Sequence, residues 1–426
     1  MGAVAVFLVS LAVTIPLGVP IAFVLVLCAI ALMGYLGLTD LSIITQNMVM
    51  GTNNAALMAI PFFMLSGEIM ARGGLSQRIV DFANIAVGRF RGGLGYAAIL
   101  ASMIFAGLSG SPVADAAALG GILIPLMVKN GYSKERSTGI ICSGAVIAPI
   151  IPPSVPMIVL GTSVGLSITK MFMAGLIPGI ILGICLMICW RIIVVRDKTN
   201  DTVHFTKEQI KHILKDSLPA LFMPILIIGG IRFGIFTPTE AGAFAVVYAL
   251  GISLFVYREM KLKDLPDVFM AGIKSTGLVM IICATASAVG WLITVAQIPA
   301  KVVTLLAPLI AHPLALLLMI NLFLFIMGMI MDLTPNILIF GPILSPVIEA
   351  AGIDPIVFAV IMVLNLTIGL ITPPVGTILY IGCSIADLSF GRVVKGVLPF
   401  LACEIIVLLL FSVFPQLISV PMGWLT

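Results

Sequence analysis

The sequence predicts an all-α polytopic membrane protein made of two inverted repeats, each with a re-entrant helical hairpin and a proline-broken transmembrane helix. Composition, an internal repeat and the distribution of Lys and Arg carry this prediction. Of the 426 residues, 61% are hydrophobic and 9% are charged, and the mean hydropathy is +1.25. Soluble domains carry roughly 25% charged residues. The composition therefore excludes a soluble domain hidden between the apolar segments, and with it a nucleic-acid-binding protein.

An internal repeat is the most informative feature of the chain. A shift of 221 positions superimposes glycines and prolines over a long stretch, and upstream the offset becomes 223. The matched pairs are Gly120 and Gly341, Pro125 and Pro346, Pro152-Pro153 and Pro373-Pro374, Gly161 and Gly382, Gly175 and Gly396, Pro178 and Pro399, and, at the longer offset, Thr14 and Thr237 and Gly67 and Gly290. A constant offset that falls on the residues which break helices indicates duplication.

Apolar segments and their breakers predict the elements of each half. In repeat one they are a helix at about 3–36, an arm at about 40–53, a helix at about 55–71, a hairpin at about 93–129, a helix at about 133–163 broken near Pro152, and a helix at about 168–195. In repeat two they lie at about 238–257, 262–274, 275–297, 313–350 (hairpin), 355–384 (broken helix) and 389–416.

The resulting domains are repeat one (1–195), an amphipathic cytoplasmic linker (196–216), an extra transmembrane helix (217–235) and repeat two (236–426). The extra helix adds one crossing, so repeat two should enter the membrane from the opposite side. Charge supports this, because Lys and Arg concentrate on cytoplasmic segments. The mouth of the first hairpin carries Arg89, Arg91, Lys129 and Lys134, whereas the mouth of the second carries Glu349 and Asp354.

Each hairpin turns at a polar tip inside apolar sequence. The tips read Ser109-Gly-Ser-Pro112 and Asp332-Leu-Thr-Pro335-Asn336. In both, a hydroxyl residue precedes proline, which is the preferred arrangement for an N-cap followed by proline at the first helical position. A half-helix should therefore begin inside the membrane, with its positive dipole end at the tip.

The two broken helices carry Pro152-Pro153-Ser154 and Thr372-Pro373-Pro374 with Gly376-Thr377. Consecutive prolines remove two N–H donors and leave carbonyls without helical partners. Such carbonyls, together with Ser and Thr hydroxyls, are oxygen ligands for an alkali cation. A mere kink is the plainer alternative for either pair, but secondary transporters place ion and substrate sites at discontinuous helices between inverted repeats.

Few carboxylates are embedded in the apolar segments. Asp115 and Asp332 lie at the tips, where the cost of a charge suggests function. A structural role at a helix N-terminus remains the alternative for Asp115, and Glu404 in the last helix has no assigned role. Glu240 in Thr237-Pro-Thr-Glu240 fits a capping box.

One pattern would suggest an enzyme. Gly107-Leu-Ser109-Gly110 matches a short motif of intramembrane serine proteases, but a serine nucleophile needs a nearby base. The three histidines lie in the linker (His204, His212) and at a hairpin mouth (His312). We therefore predict that the protein is not an enzyme, and no motif calls for an organic cofactor.

Four segments resemble the large, DctM-type membrane subunit of tripartite ATP-independent periplasmic (TRAP) transporters. They are Ser109–Tyr132, Ala148–Gly161, Met331–Pro355 and Asn365–Tyr380. The resemblance implies a multi-pass protein of the bacterial inner membrane that uses a sodium gradient to import a small organic acid, of the sialic acid or C4-dicarboxylate class. It also implies an elevator mechanism, with a transport domain moving against a scaffold. The partners it implies are a small four-helix membrane subunit, a periplasmic substrate-binding protein and the lipid bilayer.

The resemblance also implies the site residues, with Na⁺ as the coupling ion. Sodium site 1 would comprise Ser109, Gly110, Ser111, Pro152, Pro153 and Ser154, and sodium site 2 Asp332, Thr334, Asn336, Thr372, Pro373, Gly376 and Thr377. Substrate would lie between the tips, at Pro112, Asp115, Pro335, Ser154 and Thr377. Two alternatives stay open: an autonomous ion-coupled anion carrier that needs no binding protein, and a channel subunit.

Overall fold

A computed structural model describes residues 2–197 and 205–425 of the chain. These residues form twenty α-helices, joined by turns and short 3₁₀ or π segments, and contain no strand. Nine helical segments among them are long and apolar enough to cross a membrane. The predicted all-α membrane architecture is therefore confirmed.

The first half of the chain contains ten helices. They are α1 (Gly2–Thr14), α2 (Ile21–Leu36), α3 (Ser42–Thr52), α4 (Ala59–Arg72), α5 (Leu75–Val87), α6 (Gly93–Ser109), α7 (Pro112–Lys129), α8 (Lys134–Gly144), α9 (Val155–Val164) and α10 (Ile168–Asp197). Helices α6 and α7 are the two arms of the first hairpin, and α8 and α9 are the two halves of the first broken helix.

The second half contains ten more. They are α11 (Lys207–Arg232), α12 (Pro238–Gly251), α13 (Leu265–Val295), α14 (Ile298–Ile310), α15 (Pro313–Ile330), α16 (Leu333–Ala350), α17 (Pro355–Gly369), α18 (Thr377–Ala386), α19 (Phe390–Val413) and α20 (Gln416–Leu425). Helices α15 and α16 form the second hairpin, and α17 and α18 the second broken helix.

Several predicted boundaries were wrong. The helix expected over 3–36 is two helices, because Pro16 and Pro20 flank a turn between α1 and α2. The segments expected at 262–274 and 275–297 form one continuous helix, α13. Helices α5, α14 and α20 were not predicted, and α11 begins at Lys207, inside the expected linker. Residues 198–204 of that linker lie outside the described ranges.

The helices pack as two groups. In one, α4 lies along α12, and α13 runs past α2, α3 and α4. In the other, α8 packs on α19 so closely that a Cβ added at Gly139 would lie 2.3 Å from the Gly396 carbonyl oxygen. Small residues allow such backbone approach between membrane helices. The second group holds both hairpins and both broken helices.

Candidate functional site

The first hairpin tip is a tight reversal between α6 and α7. Helix α6 ends at Ser109, and Gly110 follows in the left-handed region with a φ of 60°. Ser111 is the N-cap of α7: its side chain accepts a hydrogen bond of 3.4 Å from the Ala114 N–H. Pro112 is the first helical residue. The serine cap followed by proline is confirmed at this tip.

The first break is a buried, non-helical segment. After α8, a 3₁₀ turn at Ala145–Ile147 leads into irregular backbone up to Ser154, the N-cap of α9. The Ser154 hydroxyl donates to the Pro149 carbonyl oxygen at 2.6 Å and accepts from the Met157 N–H at 3.2 Å. Residues 148–154 are all buried. Irregular backbone at this depth is tolerated because protein surrounds it.

The tip and the break of the first half are in contact. A Cβ built on Gly110 would lie 2.4 Å from the Pro153 carbonyl oxygen and 3.1 Å from the Ser154 Cα. Only glycine combines this approach with a positive φ. The fold therefore brings Gly110 of the first tip against Pro153 and Ser154 of the first break.

The second tip differs from its predicted form. Helix α16 begins at Leu333 with Asp332 at the N-cap position, and the Asp332 side chain makes no capping hydrogen bond. Thr334 and Pro335 therefore lie inside the first turn, and the predicted threonine cap was wrong. Asp332 is exposed, whereas Pro335 and Asn336 are buried.

The second break runs from the end of α17 to Gly376. Gly376 has a φ of 59° and precedes α18. The Thr372 hydroxyl donates to the Ile368 carbonyl oxygen at 2.8 Å, and the Thr377 hydroxyl is buried without a hydrogen-bond partner. Unlike the first break, this one reaches the surface at Pro374 and Val375.

The second hairpin meets its broken helix about one turn from the tip. A Cβ added at Gly369, the last residue of α17, would lie 2.4 Å from the Gly328 carbonyl carbon in α15. This contact holds α15 against the helix end from which the second break starts. This contact involves none of the residues predicted for sodium site 2, whereas in site 1 Gly110 itself meets Pro153 and Ser154.

Each hairpin also packs against the other half's broken helix. A Cβ at Gly120 in α7 would lie 3.0 Å from the Ile385 Cδ1 in α18. At the matched position, a Cβ at Gly341 in α16 would lie 2.8 Å from the Leu160 Cδ1 in α9. The two hairpins and two broken helices thus form one block.

Sequence reasoning missed a buried amide pair. The Asn365 side-chain N–H groups donate to the Asn321 carbonyl at 2.9 Å and to its Oδ1 at 3.0 Å. The Asn321 amide donates to the Ser412 Oγ at 2.7 Å. The sequence did contain a signal for this pair, because Asn321 and Asn365 each lie in an otherwise apolar helix. These hydrogen bonds join α15 to α17 and to α19.

Glu404 is fully buried in α19, with both carboxyl oxygens lacking a hydrogen-bond partner. Within the described ranges, no three His, Cys, Asp or Glu side chains cluster as a conventional metal site. Cation binding at the tips would therefore rest on carbonyls, hydroxyls and single carboxylates.

Comparison with known proteins decides the family. Residues 8–417 match the family model described as "Tripartite ATP-independent periplasmic transporter, DctM component". The chain belongs to the DctM family of TRAP transporters. A putative TRAP transporter large permease protein of Haemophilus influenzae is 50% identical over 99% of both chains. The 2,3-diketo-L-gulonate TRAP transporter large permease of Escherichia coli K12 is 46% identical, over 99% of this chain and 100% of that one.

A solved structure shares the fold. The YdaH transporter of Alcanivorax borkumensis superimposes with a TM-score of 0.65 at 13% identity, covering 89% of this chain and 88% of that one. Family membership and the apolar helices together make this TRAP large permease a multi-pass protein of the bacterial inner membrane.

Gly110→Ala should abolish transport by this permease while the protein still inserts. The new methyl group collides with the Pro153 carbonyl, and left-handed backbone costs a non-glycine residue roughly 1–2 kcal/mol. Gly131→Ala is the matched control, because Gly131 also has a positive φ, 89°, but open space around its Cβ position. Uptake and the thermal midpoint are measured for both variants. Equal loss of uptake in the two would show that contact between tip and break is unimportant.

Proposed function

We propose that this permease imports a small organic acid, driven by a sodium gradient, with substrate delivered by a periplasmic binding protein. The supporting observation is the first tip seated on the first break, which brings backbone carbonyls and serine hydroxyls to one place inside the membrane block. Discontinuous helices of this kind hold substrate and coupling ions in secondary transporters.

The two halves act as inverted repeats in this proposal. Gly120 and Gly341, which are 221 positions apart, make reciprocal contacts with the opposite half's broken helix. The second helix of each hairpin therefore packs against the second half of the broken helix in the other repeat. A duplication whose copies face opposite sides of the membrane accounts for this reciprocity.

Side-chain contacts support two opposite faces. Arg78 pairs with Asp216 at 3.2 Å and with Glu259, and Glu135 pairs with Arg392. These five residues are assigned to the cytoplasmic face.

A second set of contacts is assigned to the opposite face. The Thr239 hydroxyl donates to the Ala55 carbonyl at 3.1 Å. The Arg232 guanidinium donates to the Trp424 carbonyl at 3.2 Å. Arg232 is the last residue of α11 and lies 16 positions beyond Asp216 on that helix, so these contacts are assigned to the periplasmic face.

Two sodium sites are proposed. Site 1 uses Ser109, Gly110, Ser111, Pro152, Pro153 and Ser154, and site 2 uses Asp332, Thr334, Asn336, Thr372, Pro373, Gly376 and Thr377. The proline carbonyls and the unpartnered Thr377 hydroxyl fit a hard cation that prefers oxygen ligands. The Asn336 Oδ1 is likewise buried without a partner.

The substrate is placed between the tips, near Pro112, Asp115, Pro335, Ser154 and Thr377. A carboxylate there finds no Lys or Arg within the hairpin tips or the two breaks. Helix N-termini and sodium itself would supply the counter-charge. The E. coli relative is named for a sugar acid, which supports a carboxylated substrate, of the sialic acid or C4-dicarboxylate class.

An elevator movement would carry this site across the bilayer. The hairpins and broken helices, together with α10 and α19, form the moving block, and α2–α4 with α11–α13 form the scaffold. A small four-helix membrane subunit and a soluble periplasmic protein are the proposed partners. Both come from the family assignment.

Uptake by proteoliposomes tests this proposal. Purified permease, reconstituted with its small subunit, should accumulate the acid only when an inward sodium gradient and the binding protein are both present. Full-rate uptake without the binding protein would support the autonomous carrier instead. Flux that is independent of the sodium gradient would indicate a channel.

Asp332→Asn should raise the sodium concentration needed for half-maximal uptake by about ten-fold without impairing folding. Its side chain is exposed and caps no N–H, so losing the charge costs little structure, and ten-fold corresponds to about 1.4 kcal/mol of binding. Glu349→Gln, which removes an exposed carboxylate at the hairpin mouth, is the control. If the sodium dependence of uptake is unchanged in Asp332→Asn, site 2 does not lie at this tip.

Labelling of single cysteines tests the inverted topology. Cysteines at Lys134 and Glu349, both exposed, are introduced after the seven native cysteines are replaced. A membrane-impermeant thiol reagent added outside intact cells should label position 349 and reach position 134 only after lysis. Labelling of both from the same side would overturn the inversion.

A further inference from the structure

Asp115 and Asn336 occupy equivalent positions in the two hairpins. They are 221 positions apart, and each is the fourth residue of its hairpin's second helix, since α7 begins at Pro112 and α16 at Leu333. Both are buried, Asp115 being 1% exposed and Asn336 0%. The same place in two matching hairpins therefore holds a carboxyl group in one and an amide in the other.

The Asn336 amide closes the second tip. Its side-chain N–H groups donate to the carbonyl oxygens of Met327 at 3.2 Å, Met331 at 3.0 Å and Asp332 at 3.1 Å. Met327 lies in the last turn of α15, and Met331 and Asp332 follow that helix. The second tip is thus held by its own donors, with no charge at this position.

Asp115 has no such donors to offer. Its Oδ1 accepts a hydrogen bond from the Ser109 hydroxyl, and the Ser109 oxygen in turn accepts from the Ser111 N–H at 3.1 Å. The Asp115 Oδ2 is buried without any hydrogen-bond partner. The carboxyl group therefore lies directly behind the tip, with one oxygen unsatisfied.

Among the residues that the structure describes, no Lys or Arg side chain forms an ion pair with Asp115. Two neighbours of the first tip are backbone: a Cβ built on Gly67 of α4 would lie 3.7 Å from the Ser109 Cα, and the Pro153 carbonyl lies against Gly110. A buried carboxylate without a partner is costly. A cation held at the tip would remove that cost.

We infer that Asp115 is the fixed counter-charge of the sodium ion in site 1, acting on the cation rather than on the substrate, while Asn336 keeps the matching position of site 2 neutral. The inference rests on the proposed sodium coupling. It gives the two sites different electrostatics: the carboxylate of site 1, Asp115, is buried, whereas the carboxylate of site 2, Asp332, is exposed. Site 1 should consequently bind sodium more tightly than site 2.

Sodium binding measured without transport tests this assignment. Purified permease in nanodiscs is titrated with sodium chloride at constant ionic strength, with choline as the replacing cation, and thermal stabilisation is recorded. Wild type should respond in two phases. Asp115→Asn, which keeps the side chain's shape, should lose the high-affinity phase, a weakening of at least ten-fold. Glu404→Gln is the matched control, since it removes the acid from another buried carboxyl group, one that lies outside the tips.

Each outcome has a distinct meaning. If wild type shows no sodium response, sodium coupling itself fails. If wild type responds and Asp115→Asn responds equally, Asp115 is a neutral structural acid and the inference is wrong. Equal losses in Asp115→Asn and Glu404→Gln would also overturn it. Should Asp115→Asn not fold, Asp115→Glu decides, because moving the carboxylate by one methylene should shift the high-affinity phase several-fold, and an unchanged phase would refute the inference.

Discussion

Every backbone polar group that lies inside a bilayer needs a partner within the protein, and this requirement underlies the whole arrangement. Two helices of this permease are interrupted by proline pairs and two hairpins turn back at polar tips. Each interruption leaves carbonyls and N–H groups that neither lipid nor a continuous helix can satisfy. The chain meets the requirement by burying the first break among other helices and by capping its tips with side chains from the same segment.

Glycine makes that burial geometrically feasible. Gly110 lets the first tip rest on the carbonyl of Pro153, and the Gly328–Gly369 contact joins the second hairpin to its broken helix. At these places a single methyl group would collide with backbone, which cannot rotate away as a side chain could. Replacing these glycines with a larger residue would therefore separate the helices whose contact forms the site.

The two halves satisfy the same constraint by different chemistry. Asn336 supplies N–H donors to three carbonyls of its own tip, whereas the Asp115 side chain at the matching position accepts a hydrogen bond from the Ser109 hydroxyl. The breaks differ as well, since the first is buried throughout and the second is exposed at Pro374 and Val375. The two halves are thus alike in their helical plan and differ in the polar groups at their tips and breaks.

The sequence by itself determined the membrane class, the hairpins, the broken helices and the family, because apolar length, proline pairs and repeated glycines are local signals. It also indicated the serine cap of α7, which depends on neighbouring residues alone. Only the tertiary structure decided that Thr334 is not a cap, that α13 is continuous, and that Asn321 and Asn365 pair. The asparagine pair in particular depends on groups from distant segments that meet only in the folded chain. The environment of Asp115 is of the same kind, because a carboxyl group's surroundings come from the packing of the tip against α4 and the first break.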